Sequence, residues 1–225
     1  NRYVIMHNSL NNLIEIQKEI QLKINELNNS IKIPQIIAVT KTHPMSNILP
    51  LIKHGHLDFG ENKVQEAIVK WQDTKKTFPN LNLHMIGKLQ SNKVKHAISL
   101  FDYIHSLDNE KLANKIALEQ AKQDKKPKIF IQVNLENEDQ KAGINRSELH
   151  DFYKFCKNLK LNIIGTMCIP PNTSEGNDYF LEMNKINQEL NFKDLSMGMS
   201  GDYLNAIKNN TTYVRIGSKI FGNRA

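Results

Sequence analysis

From Pro34 onward the chain repeats one pattern eight times: a short apolar, β-branched run, then a longer stretch with helical spacing. The runs read as strands over Ile36–Thr40, Leu57–Gly60, Leu83–Ile86, Phe101–His105, Lys128–Val133, Asn162–Met167, Asp194–Met197 and Thr211–Ile216. A helical crossover between successive strands implies a parallel sheet. A count of eight then favours a closed (β/α)₈ barrel over an open doubly wound sheet. Little chain remains after the eighth strand for a full final helix. The segment from Val4 to Asn28 offers a substitute, because Leu13, Ile16, Ile20, Ile24 and Leu27 form one apolar stripe. That N-terminal helix, within residues 1–30, is expected to pack on the barrel.

No composition break or Pro/Gly/Ser-rich linker divides the 225 residues, so residues 1–225 are expected to form a single domain. No apolar run approaches the roughly 18–20 residues of a membrane span. No basic-then-apolar leader opens the chain, and Cys156 and Cys168 make no CxxC pair. The expectation is a cytoplasmic protein with reduced thiols and no membrane partner. The net charge of +7 is spread over scattered lysines, with 7% aromatic residues and no nucleic-acid-binding motif. That pattern argues against a nucleic-acid partner. His54 and His56 lack a third ligand nearby, so no metal site is expected.

In such a barrel, chemistry sits at the C-terminal ends of the strands. Lys41 directly follows the first strand. A lysine projecting into a barrel mouth has its pKa lowered by partial burial and becomes a nucleophile for carbonyls; on a loop it is simply solvated. Glu61 and Asn62 follow the second strand, and His84 lies on the third, either packed in the core or against a ring in the mouth. Two glycine-rich turns, Ser196–Gly201 and Arg215–Gly222, follow the seventh and eighth strands. With the Ser200 hydroxyl, backbone N–H groups at Gly217 and Ser218, and a new helix, they make a cup for phosphate; otherwise they are only tight turns. Arg215 has two readings, as an ion-pair partner of Glu61 or Asp58 in the barrel wall, or as a ligand-facing donor.

Six blocks in register carry a resemblance. They are Ala38-Val-Thr-Lys-Thr42, Phe59-Gly-Glu-Asn-Lys-Val-Gln-Glu66, His84-Met-Ile-Gly-Lys-Leu-Gln-Ser-Asn-Lys93, Gly165-Thr-Met-Cys-Ile-Pro-Pro171, Ser196-Met-Gly-Met-Ser200 and Val214-Arg-Ile-Gly-Ser-Lys-Ile-Phe-Gly222. Together they resemble the pyridoxal phosphate homeostasis protein family (YggS/PROSC type), from about Pro34 to Gly222. The resemblance implies a fold-type III barrel of the TIM type, similar to the N-terminal domain of alanine racemase, with pyridoxal 5'-phosphate (PLP) as cofactor. Lys41 then matches the Schiff-base lysine, holding PLP as an internal aldimine. Ser200, Gly217 and Ser218 match the phosphate contacts and Arg215 the partner of the pyridine nitrogen, while Asn62 and His84 fall in motifs that line the cofactor. His43 and Asn210 depart from the family pattern, standing where lysine and glycine are usual.

The family's members are regarded as PLP carriers without robust catalysis, which implies no catalytic residue and PLP-dependent apo-enzymes as the conceivable partners. An arginine beside the ring nitrogen leaves the pyridine neutral and weakens the electron sink. Alanine racemases share that arginine but add a tyrosine from a further domain, which is not expected here. A weak PLP-dependent amino-acid racemase is one alternative. A phosphate-ligand or nucleic-acid binding module without PLP is the other.

Overall fold

The structure, a computed structural model, describes residues 8–28, 31–136, 142–171 and 177–223. Alternation within the strands sorts the apolar residues into two sets. Ile36 and Ala38 join a large cluster beneath the helices, while Ile37 joins Tyr103, Phe130, Met167 and Tyr213 in a small cluster inside the sheet. Only a sheet closed on itself has an inside of that kind.

The strands are β1 (Gln35–Val39), β2 (Asp58–Glu61), β3 (Asn82–Met85), β4 (Tyr103–Leu107), β5 (Lys128–Asn134), β6 (Ile144–Asn145), β7 (Asn162–Met167), β8 (Asp194–Ser196) and β9 (Tyr213–Ile216). Every pairing is parallel. The order β4-β3-β2-β1-β9-β8-β7-β5 closes through β4–β5, so eight strands form the barrel and β6 is a two-residue addition along the end of β5. The helices are α1 (Asn8–Glu26), α2 (Met45–His54), α3 (Val64–Thr77), α4 (Val94–Leu100), α5 (Glu110–Gln123), α6 (Leu149–Asn158), α7 (Asn177–Glu189), α8 (Tyr203–Lys208) and α9 (Ser218–Phe221).

The expected barrel is therefore present, and α1 takes the place that α9, with four residues, cannot fill. Leu13, Ile16, Ile20 and Ile24 bury the predicted stripe, and α1 lies against α2, α8 and α9. Asn12 Nδ2 donates to the Ile220 carbonyl at 2.8 Å, fastening α1 to α9. The predicted start of this helix at Val4 lies outside the described residues.

The eight expected strands match the observed ones to within two residues at either end. The fourth strand begins at Tyr103 and runs to Leu107, because Phe101 caps α4 and is not the first strand residue. Asn109 caps α5. Asn109 accepts from the Leu112 N–H at 2.9 Å, leaving the Asp108 carboxylate to accept from the Gly143 N–H at 2.8 Å. Asn210 adopts φ +65° before β9, a left-handed turn that suits glycine and that asparagine tolerates better than most residues.

Candidate functional site

Strand parity carries the mouth. On β1 the inward series Ile37, Val39 continues to Lys41; on β9 the series Tyr213, Arg215 continues to Gly217. These residues meet at the C-terminal ends of β1, β2, β8 and β9 in a cavity of about 540 Å³ lined by Lys41, Asn62, Ser200, Arg215, Gly217 and Ser218, among others. Six of the seven residues predicted from the sequence thus share one cavity.

The seventh, His84, is not among the residues that line it, and of its two readings the packed one describes its surroundings. It lies in the lumen below, 0% exposed, with both ring nitrogens engaged by Asp58 Oδ1 at 2.8 Å and His105 Nε2 at 2.9 Å. Its ring stacks on Tyr103 at 4.1 Å. The stagger of neighbouring strands sets how deep an inward residue lies.

The segment around Lys41 is clamped from both sides. Lys70 Nζ donates to the Thr40 carbonyl at 2.6 Å and to Glu61 Oε1 at 2.7 Å. Glu61 also accepts from Thr40 Oγ1 and Trp71 Nε1, so it faces outward to α3. Burial pushes its carboxyl above the usual carboxylate range, with Lys70 pulling the other way. On the far side of Lys41, Thr42 sits at φ +66°, a costly conformation for a β-branched residue. Its N–H is held by both Glu66 carboxylate oxygens, at 3.1 and 3.0 Å.

The two glycine-rich turns are sewn together. The Arg215 N–H donates to the Gly198 carbonyl at 2.8 Å, and the Lys219 N–H to Ser200 Oγ at 3.2 Å. Gly198 has φ +100°, and a Cβ there would stand 2.8 Å from the Ala206 methyl, so that turn requires glycine. A Cβ at Gly201 or Gly222 would meet nothing within 4 Å, so the rim there is open. Ser200 keeps its own hydroxyl proton to donate, and Ser218 opens α9, where a backbone N–H has no intrahelical partner.

Arg215 is 4% exposed and reaches the cavity from below. Neither carboxylate that sequence offered it lies within ion-pair distance, since Glu61 pairs with Lys70 and Asp58 with His84. Arg215 instead donates through Nη1 to Ser196 Oγ at 2.6 Å and through Nη2 to the Cys168 carbonyl at 3.0 Å. Burial pushes the Cys168 thiol up to about 12, so it is protonated and unreactive. Ser196 and His105 were missed in the sequence. The signal for them is a polar residue at an alternating position of a short strand, His105 on β4 and Ser196 on β8.

Among the described residues no His/Cys/Asp/Glu group is arranged to hold a metal, and no helix is long and apolar enough to cross a membrane. The family model for the alanine racemase N-terminal domain matches residues 17–225. The chain is 37% identical over 226 residues to the pyridoxal phosphate homeostasis protein of Pasteurella multocida, covering 95% of this chain and 96% of the relative. PipY of Synechococcus elongatus, solved with PLP bound, superposes with a TM-score of 0.78 at 33% identity, covering 90% of this chain and all of that one. An alanine racemase of Clostridium difficile, at 13% identity and TM-score 0.67 over 92% of this chain and 57% of that chain, shares the fold.

Proposed function

The chain belongs to the pyridoxal phosphate homeostasis protein family, and from that premise we propose that it holds PLP in the mouth cavity without turning it over efficiently. The observation that carries this reading is the convergence of an amine, an arginine and a hydroxyl-and-backbone cup on one cavity of about 540 Å³. That donor set suits a ligand with an aldehyde at one end, a phosphate at another and a ring nitrogen between. When bound, PLP supplies an aldehyde that condenses with amines and a ring that withdraws electrons.

The chain's own residues divide the work. Lys41, held by the clamped Thr40–Thr42 segment, supplies the amine. The Ser200 hydroxyl and the backbone at Gly217 and Ser218 donate to phosphate oxygens at the open rim. Arg215 donates to the ring nitrogen and, because a guanidinium does not give up its proton, leaves that nitrogen unprotonated. Such a ring is a weak electron sink, which favours carriage over carbanion chemistry. Asn62 borders the ligand from the β2 side. The reading extends to release of PLP to PLP-dependent apo-enzymes, and to a cytosolic setting in which the buried Cys156 and Cys168 stay reduced.

Incubation with PLP followed by borohydride should leave one pyridoxyl label, mapped to Lys41 by mass spectrometry, and none in Lys41→Ala. No label, or equal labelling of the variant, would sink the proposal.

A further inference from the structure

Arg215 is a buried cation with no carboxylate within ion-pair distance among the described residues, an arrangement that is costly unless the charge is answered elsewhere. Asp202 attracts it at longer range, but that carboxylate accepts from the Met199 N–H at 2.7 Å. Below Arg215, an unbroken chain of contacts crosses the lumen. Ser196 Oγ lies 2.6 Å from Arg215 Nη1 and 2.9 Å from His105 Nδ1. His105 Nε2 lies 2.9 Å from His84 Nδ1, and His84 Nε2 lies 2.8 Å from Asp58 Oδ1.

Both ends fix the direction of the protons in this chain. Arginine only donates, so Ser196 Oγ accepts from it and has one proton of its own to place. No other acceptor for that proton exists among the described residues, so it goes to His105 Nδ1. That leaves the His105 proton on Nε2, pointing at His84 Nδ1. From the other end, Asp58 accepts, so His84 carries its proton on Nε2 and its Nδ1 is an acceptor. The two assignments agree at the His84–His105 contact. Every donor points from Arg215 toward Asp58. Two aromatic rings hold the imidazoles in place, Tyr103 against His84 at 4.1 Å and Phe130 against His105 at 4.4 Å.

We propose that Asp58 is a second, relayed counter-charge of Arg215 besides the more distant pull of Asp202, coupled to it across the barrel by His84, His105 and Ser196, and that these four are positioning residues for the guanidinium. The inference rests on the PLP reading in one respect: the group so positioned is the donor to the ligand's ring nitrogen. A carboxylate at the floor of the barrel thereby helps set the electronic state of a ligand at its mouth.

Nitrogen-resolved histidine NMR on ligand-free protein tests the chain directly. Both His84 and His105 should be neutral Nε2–H tautomers from about pH 6 to about pH 8. An Nδ1–H tautomer at His105, or an imidazolium at either position, would overturn the proposal. Asp58→Asn keeps an acceptor oxygen and removes the charge, while Ser196→Ala disconnects Arg215. Each should weaken PLP binding about tenfold and shift the pH at which the PLP absorption band changes. Unchanged affinity and band in both variants, with Lys41 still labelled, would also overturn it. The tautomers in the unaltered protein decide the matter if either variant fails to fold. Loss of the pyridoxyl label in the unaltered protein would remove the PLP reading while leaving the tautomer result standing.

Discussion

The barrel lumen has two halves built on opposite terms. In the lower half Asp58, His84, His105, Tyr103, Phe130 and Tyr213 are all nearly buried, and their polar atoms bond to one another. In the mouth Asn62, Ser200, Gly217 and Ser218 are partly or well exposed around an open cavity. The halves meet at Arg215, which is buried like the lower set and faces the cavity like the upper one. The lower half holds groups still, and the mouth keeps donors available. Substitutions should therefore cost mainly stability below and mainly ligand above, except along the Asp58–Arg215 chain, where the two halves are coupled.

The largest effect should come from Phe130→Ala, which empties a fully buried ring position and removes the stack on His105. A loss of roughly 3–5 kcal/mol in urea unfolding is expected. A loss below about 1 kcal/mol would mean that the lower half is loosely packed and the contrast is false.

Acidification comes next. Burial lowers the pKa of both His84 and His105, helped at His105 by His84 and Arg215 and opposed at His84 by Asp58 and Asp102. The folded state keeps these rings neutral at a pH where the unfolded chain protonates them. Stability is therefore complete above about pH 6.5 and falls as pH drops below it. The slope should approach ~2–3 kcal/mol per pH unit for the two together, read from urea midpoints between pH 7 and pH 5. A flat profile would show that the lumen admits charge.

In the mouth, Ser200→Ala should cost at most about 1 kcal/mol of stability while weakening PLP about tenfold by absorbance titration. The reverse pattern would assign Ser200 to structure, as the acceptor for Lys219 N–H. Smallest is Thr42→Gly, which relieves a left-handed β-branched residue. It should raise stability by roughly 0.5–1 kcal/mol in the same unfolding assay, because here the mouth and not the floor stores strain. A loss would show that the Glu66 clamp already satisfies that turn.

The sequence made one of these halves easy to read. Lys41 directly follows the first strand, and glycines with hydroxyl residues after two strands mark the turns that line the cavity. The lower half is hidden in the sequence because its members come from β2, β3, β4, β5 and β9, and depth depends on how those strands are staggered. Whether His84 lies in the core or in the mouth is therefore not legible from its place on a strand. Phe101 is apolar but belongs to the end of α4, so the apolar run places the fourth strand two residues early and makes His105 its last residue instead of its middle one. Arg215 was offered Asp58 as a neighbour; the two are joined, but through three intervening side chains.

The helix that completes the ring is made first and used last. α1 buries its stripe partly against α8 and α9, whose residues lie about two hundred positions downstream, as the Asn12–Ile220 bond illustrates. On a ribosome, Leu13, Ile16, Ile20 and Ile24 emerge long before those partners exist. The N-terminal helix can meet α2 early but must wait with the rest of its apolar side uncovered, so closure of the ring is a late, long-range step in folding. A fusion or permutation that separates α1 from α9 should slow folding far more than it alters the finished cavity.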